Sequence, residues 1–109
     1  KKPTYFMEHD TMEKNKPHYV LSQIKTLVRE GHARMTATAR STSAELGFTR
    51  AEVFVEIDRI LPGEFYKSMT TYRDHTVWQD VYRHQTDHGM VYIKLTVLDG
   101  VLVVSFKEL

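Results

Sequence analysis

One phenol and two ammonium groups fall on the same face of a predicted hairpin near the C-terminus. Leu98-Asp99-Gly100-Val101 contains an Asp-Gly pair, which suits the positive φ angles of a two-residue type I′ turn. A turn of this length fixes the register, so Tyr92 lies opposite Lys107 and Lys94 lies opposite Ser105. Opposed side chains are about 5 Å apart at Cβ. Adjacent ammonium groups without carboxylate partners repel each other unless an anion lies between them, which favours an anion site.

The same pattern has an ordinary interpretation, which stays open at this point. Lysine on the solvent face of an antiparallel strand is common, and lysine also protects edge strands from aggregation. Alternation assigns the opposite face to the core. Its residues are Val91, Ile93, Leu95, Val97, Leu102, Val104, Phe106 and Glu108.

The stretch from Glu64 to Arg83 is the second candidate, because it mixes polar and aromatic residues and contains the only tryptophan. Alternation in its first strand predicts one face with Phe65, Lys67, Met69 and Thr71, and another with Tyr66, Ser68, Thr70 and Tyr72. In its second strand the two predicted faces are Val77, Gln79, Val81 and Arg83 against Trp78, Asp80 and Tyr82. Neither strand has a clean apolar face, so alternation does not decide which side meets a ligand.

Helices precede strands along the chain, which predicts an α+β fold with N-terminal helices packed on one face of a C-terminal, mainly antiparallel sheet. Predicted helices are Pro17 to Glu30, Thr36 to Leu46 and Thr49 to Leu61, the last with a Thr49/Glu52 capping box. Predicted strands are His32 to Met35, Phe65 to Thr71, Val77 to Arg83, Met90 to Leu98 and Val101 to Glu108. The segments 73–76 and 84–89 are predicted loops.

Bulk composition sets wider limits. A chain of 109 residues fits one domain, which we place at 12–109, after an N-terminal extension at 1–11. The net charge of +1 excludes a broad basic field for coating duplex nucleic acid, so any phosphate contact must be local. There is no membrane-spanning apolar run. The absence of cysteine excludes disulfides and thiolate metal sites, and favours the cytoplasm.

Three runs of sequence resemble a known family. FYKSMTTYRDHTVWQDVYR, GMVYIKLTV and VLVVSFKEL are similar to the MqsR family of mRNA-cleaving toxins, and the resemblance extends over Met12 to Leu109. It implies a fold related to the RelE and YoeB toxins. The proposed catalytic set of that family falls here on Lys67, Gln79, Tyr92 and Lys107. The hairpin register independently pairs Tyr92 with Lys107.

The resemblance also implies a reaction. It is metal-independent cleavage of mRNA without a cofactor, in which the ribose 2′-OH attacks the adjacent phosphate and leaves a 2′,3′-cyclic phosphate. Further implications are GCU-type cleavage sites and a cognate MqsA-type antitoxin that binds zinc and DNA. The lysines suit phosphate stabilisation, and which group is acid or base stays open.

Other residues are candidates for contacting RNA. Tyr66, Tyr72 and Trp78 can stack on unpaired bases, while Arg83 and Lys94 can meet phosphate. Trp78 has a competing interpretation as a core or partner-interface residue. His84 and His88 flank Asp87 in a predicted turn, where helical metal-ligand spacing does not apply, so we predict no metal site.

Two alternative functions stay open. One is a ribosome-dependent nuclease like RelE. The other is a catalytically idle module that binds RNA or protein through the exposed sheet face.

Overall fold

The computed structural model describes residues 11–108 as three helices and one six-stranded sheet. The predicted extension at 1–11 falls outside the described residues except for Thr11. The helices are α1 (Leu21–Arg29), α2 (Ala37–Glu45) and α3 (Arg50–Asp58), with a 3₁₀ turn at Pro62–Glu64. The strands are β1 (Glu13–Lys14), β2 (Ala33–Met35), β3 (Phe65–Thr70), β4 (Trp78–Thr86), β5 (Gly89–Leu98) and β6 (Val101–Glu108).

The sheet has the order β1-β3-β4-β5-β6-β2, and all neighbouring pairs are antiparallel except β2 with β6. The β5–β6 hairpin has the predicted register, with Tyr92 paired to Lys107 and Lys94 paired to Ser105. Its turn residues Asp99 and Gly100 have φ values of 51° and 76°, as a type I′ turn requires. The predicted α+β fold is therefore confirmed.

The helices cover one face of this sheet and leave the other open. The core lies between them, where helix and strand side chains interlock. It contains Ile24, Met35, Ala39, Phe48, Val53, Ile57, Ile60, Tyr82, Val91, Ile93, Leu95, Leu102, Val104 and Phe106. None of the helices in the described part of the chain is long and apolar enough to span a membrane.

Local chemistry sets the helix ends. The Thr49 hydroxyl accepts a hydrogen bond from the Glu52 N–H, and the Glu52 carboxylate accepts one from the Thr49 N–H, so the predicted capping box is present. The α3 helix ends at Asp58 rather than Leu61. Leu61 is extended because the following Pro62 disfavours helical backbone before it.

The first helix begins four residues later than predicted, at Leu21 instead of Pro17. The cause is the buried Asp80 carboxylate, which accepts hydrogen bonds from the backbone N–H groups of His18 and Tyr19 at 3.0 and 2.9 Å. These contacts hold the preceding segment extended. Edge strand β1 was also missed, because two residues carry no recognisable strand period.

The predicted loop at 84–89 is wrong for four of its six residues, because β4 continues to Thr86 and β5 begins at Gly89. His84 is buried in this strand. Its two ring nitrogens lie 2.8 Å from carboxylate oxygens of Glu56 and Glu64. A histidine held between two acidic residues of the helical layer extends the strand where sequence polarity indicated a loop.

Candidate active site

The open face of the sheet brings the predicted catalytic residues together in adjacent rows. One row crosses β3, β4, β5 and β6 as Lys67, Val81, Lys94 and Ser105. The next row crosses β4, β5 and β6 as Arg83, Tyr92 and Lys107. Gln79 lies on the other side of the first row, paired with Met69. Because strands are about 4.8 Å apart, these side chains surround one small area.

A bulge in β3 changes which side chains reach this area. Phe65 pairs with Tyr82 while Lys67 pairs with Val81, so one extra residue is inserted between them. Tyr66 therefore lines the same pocket as Lys67, and the predicted alternation across Phe65 to Lys67 is wrong. Bulges redirect side chains in this way and often lie beside functional sites.

The pocket at the centre of the open face has a volume of about 320 Å³. Its lining is Tyr66, Lys67, Met69, Val81, Tyr92, Lys94 and Lys107. Val81 is buried at its floor beneath the longer side chains. The pocket thus contains three of the four predicted catalytic residues and three ammonium groups.

The fourth catalytic candidate, Gln79, lines an adjoining groove of about 620 Å³. Met69 is common to both cavities. Tyr72 and Leu98 contribute exposed apolar surface to the groove, and Arg73 adds a cation at its margin. The groove therefore continues the cationic pocket with a mainly apolar surface beyond Gln79.

Arg83 and the rings of Tyr66 and Tyr92 lie along one side of the pocket. The Arg83 guanidinium carbon lies 3.8 Å from the centroid of the Tyr66 ring and 5.8 Å from that of Tyr92. The two tyrosine centroids are 6.2 Å apart. Such cation–π contacts order an otherwise exposed arginine next to the anion-binding area.

The lysines differ in their surroundings. Lys67 donates to the Glu13 carboxylate on β1 at 3.0 Å, whereas Lys107 is exposed near the end of β6. Lys94 is half-buried, and burial lowers its pKa from the ordinary value, with repulsion from Lys107 and Lys67 adding to the effect. The Lys94 ammonium therefore gives up its proton more readily than that of an ordinary lysine.

The structure does not bring Trp78 to this face. Its ring stacks on His18 with centroids 5.2 Å apart, and the Lys14 ammonium nitrogen lies 4.2 Å from its centroid. Tyr19 donates its hydroxyl proton to the Trp78 carbonyl oxygen. Trp78 therefore secures the segment before α1, on the side of the sheet away from Lys67.

Directly behind the site lies Asp80, between the strand positions of Gln79 and Val81. Its carboxylate accepts from the Ser68 hydroxyl at 2.6 Å, in addition to the two backbone N–H groups before α1. Ser68 follows Lys67 on β3. The hydrogen bond between Ser68 and Asp80 thus joins β3 to β4 on the covered face. Their strand neighbours Lys67 and Gln79 project from the open face.

Two features of the site escaped the sequence interpretation. Glu13 belongs to the unpredicted strand β1, and a lone glutamate near the N-terminus gave no signal. The β3 bulge left no glycine or other marker in the sequence. In the described part of the chain no group of three or more histidine or carboxylate side chains is placed to hold a metal ion. At His84, the carboxylates of Glu56 and Glu64 lie against opposite ring nitrogens.

Comparisons with known proteins cover the residues that line this pocket. The model of the family described as "Motility quorum-sensing regulator, toxin of MqsA" matches residues 16–108. The chain is 50% identical over 97 residues to the mRNA interferase toxin MqsR of Escherichia coli (strain K12), covering 89% of this chain and 99% of that relative. All residues that line the cationic pocket fall within the matched range, whereas Glu13 precedes the part matched by the family model.

Proposed function

The chain belongs to the MqsR toxin family, and we propose from this that it is an mRNA interferase, the toxin of a toxin–antitoxin pair. The relative's name supplies the substrate class, mRNA. The observation that carries the proposal is the pocket in which Lys67, Lys94 and Lys107 meet on an open sheet face. Three ammonium groups in one pocket suit a polyanion whose charge grows during reaction.

The reaction we propose is transesterification within the RNA strand. The ribose O2′ forms a bond to the adjacent phosphorus, and the bond from phosphorus to O5′ of the next nucleotide breaks. The 2′ proton passes to a base and the departing O5′ takes up a proton, so the products are a 2′,3′-cyclic phosphate and a 5′-hydroxyl. Negative charge accumulates on the phosphorane oxygens between these events.

Lys67 and Lys107 are assigned to the phosphorane oxygens, because they approach the pocket from opposite sides, on β3 and β6. Tyr92 pairs with Lys107 and brings a hydroxyl to the same position. Gln79 orients the phosphate or a base edge where the pocket passes into the groove. Preorganised charges of this kind act without reorganisation during the reaction.

Flanking nucleotides are assigned to the surfaces on either side of the phosphate pocket. Tyr66, backed by Arg83, offers a ring on one side, and Tyr72 offers one in the groove on the other. Unpaired bases stack on such rings with little sequence preference, so selectivity needs a polar reader such as Gln79. GCU-type selectivity is part of this proposal through the family resemblance.

We expect cleavage without a metal ion, because the lysines supply positive charge where many nucleases use a cation. An MqsA-type antitoxin is the proposed protein partner, since the matched family is described as the toxin of MqsA. We propose that this partner binds zinc and DNA, as the family resemblance implies. An mRNA substrate places the expected action in the cytoplasm.

Purified protein incubated with ribosome-free RNA in the presence of EDTA tests the proposal. We expect cleavage with cyclic-phosphate 3′ ends, read by end-specific ligation and sequencing, and an enrichment of GCU at the cut sites. Cleavage that occurs only on translating ribosomes would support the RelE-like alternative. Binding without cleavage in either setting would support the idle binding module and refute the enzyme.

A further inference from the structure

Lys94 lies at the centre of the four residues that the family resemblance assigns to catalysis. Lys67 stands two strands away in the same row, and Tyr92 and Lys107 occupy the next row. Gln79 lies beyond the row on the opposite side. The side chain with the most central position is therefore one to which the resemblance gives no catalytic role.

The three lysines of the pocket are not equivalent. Lys67 is engaged with Glu13, and Lys107 is exposed at the end of its strand. Lys94 is half-buried and has no carboxylate partner among its described contacts. It is flanked by Lys67 and Lys107, which disfavour its charged form.

We propose that Lys94 is the general acid of the reaction, the group that donates a proton from Nζ to the departing 5′-oxygen. This rests on the proposed function, and it assigns a role that was left open there. As O2′ bonds to phosphorus and the bond to O5′ breaks, the Nζ–H bond breaks and an O5′–H bond forms. Lys94 is left as a neutral amine and regains its proton from water before the next cycle.

The surroundings of Lys94 suit this task. Burial, followed by repulsion from Lys107 and Lys67, lowers the pKa of Lys94, which makes its ammonium a stronger acid. Its loss of charge on proton transfer also relieves repulsion within the cluster. Lys67 and Lys107 keep their charge on the phosphorane oxygens at the same time.

A substrate whose leaving group needs no proton separates this role from phosphate binding. In an RNA oligonucleotide with sulfur in place of the bridging O5′, a thiolate departs, and a thiol is a far stronger acid than an alcohol (the cysteine thiol has a pKa of about 8.5). The variants are Lys94→Arg, which keeps a cation that does not deprotonate, and Lys94→Met, which removes the charge. Thermal melting checks that both variants fold.

With the oxygen substrate we expect Lys94→Arg to lower kcat by about 10²–10³-fold, the range of general acid catalysis. With the sulfur substrate the same variant should cleave within about threefold of wild type, because the acid is no longer needed. Lys107→Met is the matched control, and its defect should persist with both substrates. Equal losses of Lys94→Arg on oxygen and sulfur substrates would overturn the assignment, as would full activity on oxygen.

The pH profile gives a second readout. A general acid works in its protonated form, so kcat on the oxygen substrate should fall as pH rises through the pKa of Lys94, below that of an ordinary lysine. This fall should be absent in Lys94→Arg. The groups that face Lys94 are Tyr66 and Lys67 on β3, Arg83 on β4, Tyr92 on β5 and Lys107 on β6. An alkaline limb unchanged in the variant would assign the acid to one of the lysines or tyrosines among them, because the Arg83 guanidinium does not deprotonate.

Failure of the inference and failure of the function give different results. Wild-type protein unable to cleave the ribosome-free oxygen substrate would refute the proposed function, and the assignment of Lys94 with it. Wild-type cleavage combined with an unimpaired Lys94→Arg would refute the acid alone. Both substrates are therefore tested with wild-type protein first.

Discussion

The two faces of the sheet handle charge in opposite ways. On the open face, Lys67, Lys94 and Lys107 gather in one pocket, and of these only Lys67 has a carboxylate partner among the described residues. On the covered face, Asp80 accepts three hydrogen bonds and His84 lies between two glutamates. No buried polar side-chain atom between residues 11 and 108 lacks a partner.

This difference indicates what each face is for. Paired polar groups on the covered face fix the strands to the helical layer, because a buried group without its partner is costly. Unpaired cations on the open face repel one another and gain their partner only when an anion binds. Substitutions on the open face should therefore change activity, and substitutions on the covered face should change stability.

The largest effect is expected from Lys67→Met and Lys107→Met. Each should lower kcat/KM for RNA cleavage by about 10²–10³-fold, or about 3–4 kcal/mol, since each removes a charge from the phosphorane. Thermal stability should stay within about 0.5 kcal/mol of wild type, because surface substitutions rarely do more. Fluorogenic RNA cleavage and calorimetry measure the two quantities.

Exposed Lys16, outside the pocket, provides the matched control as Lys16→Met and should retain cleavage. If either pocket variant folds normally and cleaves RNA at the wild-type rate, the contrast between the faces fails. An equal loss in Lys16→Met would point to general charge attraction rather than to a site.

On the covered face the largest effect is expected from Asp80→Asn. The amide keeps one acceptor oxygen but turns its NH₂ toward donors, so some of the N–H and O–H groups of His18, Tyr19 and Ser68 lose their acceptor. We expect a loss of about 2–3 kcal/mol in the free energy of unfolding, measured in urea. Asp99→Asn is the control, because Asn-Gly suits the same turn. A stability unchanged in Asp80→Asn would remove the structural role of this carboxylate.

The two halves of the site, one on β5 and β6 and the other on β3 and β4, differed in how far the sequence could predict their positions. The Asp99-Gly100 turn fixed the β5–β6 register, and with it the positions of Tyr92, Lys94 and Lys107, from local rules alone. Gln79 and Lys67 joined them only through family resemblance. No local rule predicts which strand lies beside which, so the neighbours of β3 and β4 were not derivable.

The parts that escaped prediction depend on contacts distant in sequence. The start of α1 is set by Asp80, which bonds backbone N–H groups 61 and 62 residues before it. The end of β4 is stabilised by Glu56 and Glu64 through His84. Helix and strand propensities depend on neighbouring residues, so they do not detect such distant partners. The β3 bulge is similar, because the strands beside it and not its own residues decide where an extra residue fits.

Acid pH should weaken the covered face through Glu64. Burial acts to raise the pKa of this carboxyl, but hydrogen bonds from Leu61 N–H, His84 and Gln85 N–H outweigh it and lower the pKa below the ordinary 4.5. A lowered folded-state pKa gives stability that is present above 4.5 and is lost as pH falls toward the folded value. Glu64→Gln should therefore be less stable by about 1–2 kcal/mol near neutral pH, with the difference shrinking below pH 4.5.

Guanidinium unfolding from pH 3 to 7 measures this difference, with Glu45→Gln as the control. Glu45 is exposed near the end of α2, so its variant should follow the wild-type curve. A difference between Glu64→Gln and wild type that stays constant, or grows, on acidification would contradict the role given to the Glu64–His84 contact.

The smallest effects should come from the aromatic residues, and they divide between the faces in the same way. Tyr66→Leu removes the ring over which Arg83 lies, 3.8 Å away, and should raise KM for RNA by a factor of about 5–10, or about 1 kcal/mol. Its stability should change little, because Tyr66 is 41% exposed. Trp78→Leu removes the ring on which His18 stacks, so it should lower stability by about 1 kcal/mol or more and leave KM near wild type. If Trp78→Leu weakens RNA binding without loss of stability, then Trp78 on the covered face stacks on RNA bases, and the division of roles between the two faces is wrong. Filter binding and thermal melting of the two variants in parallel distinguish these outcomes.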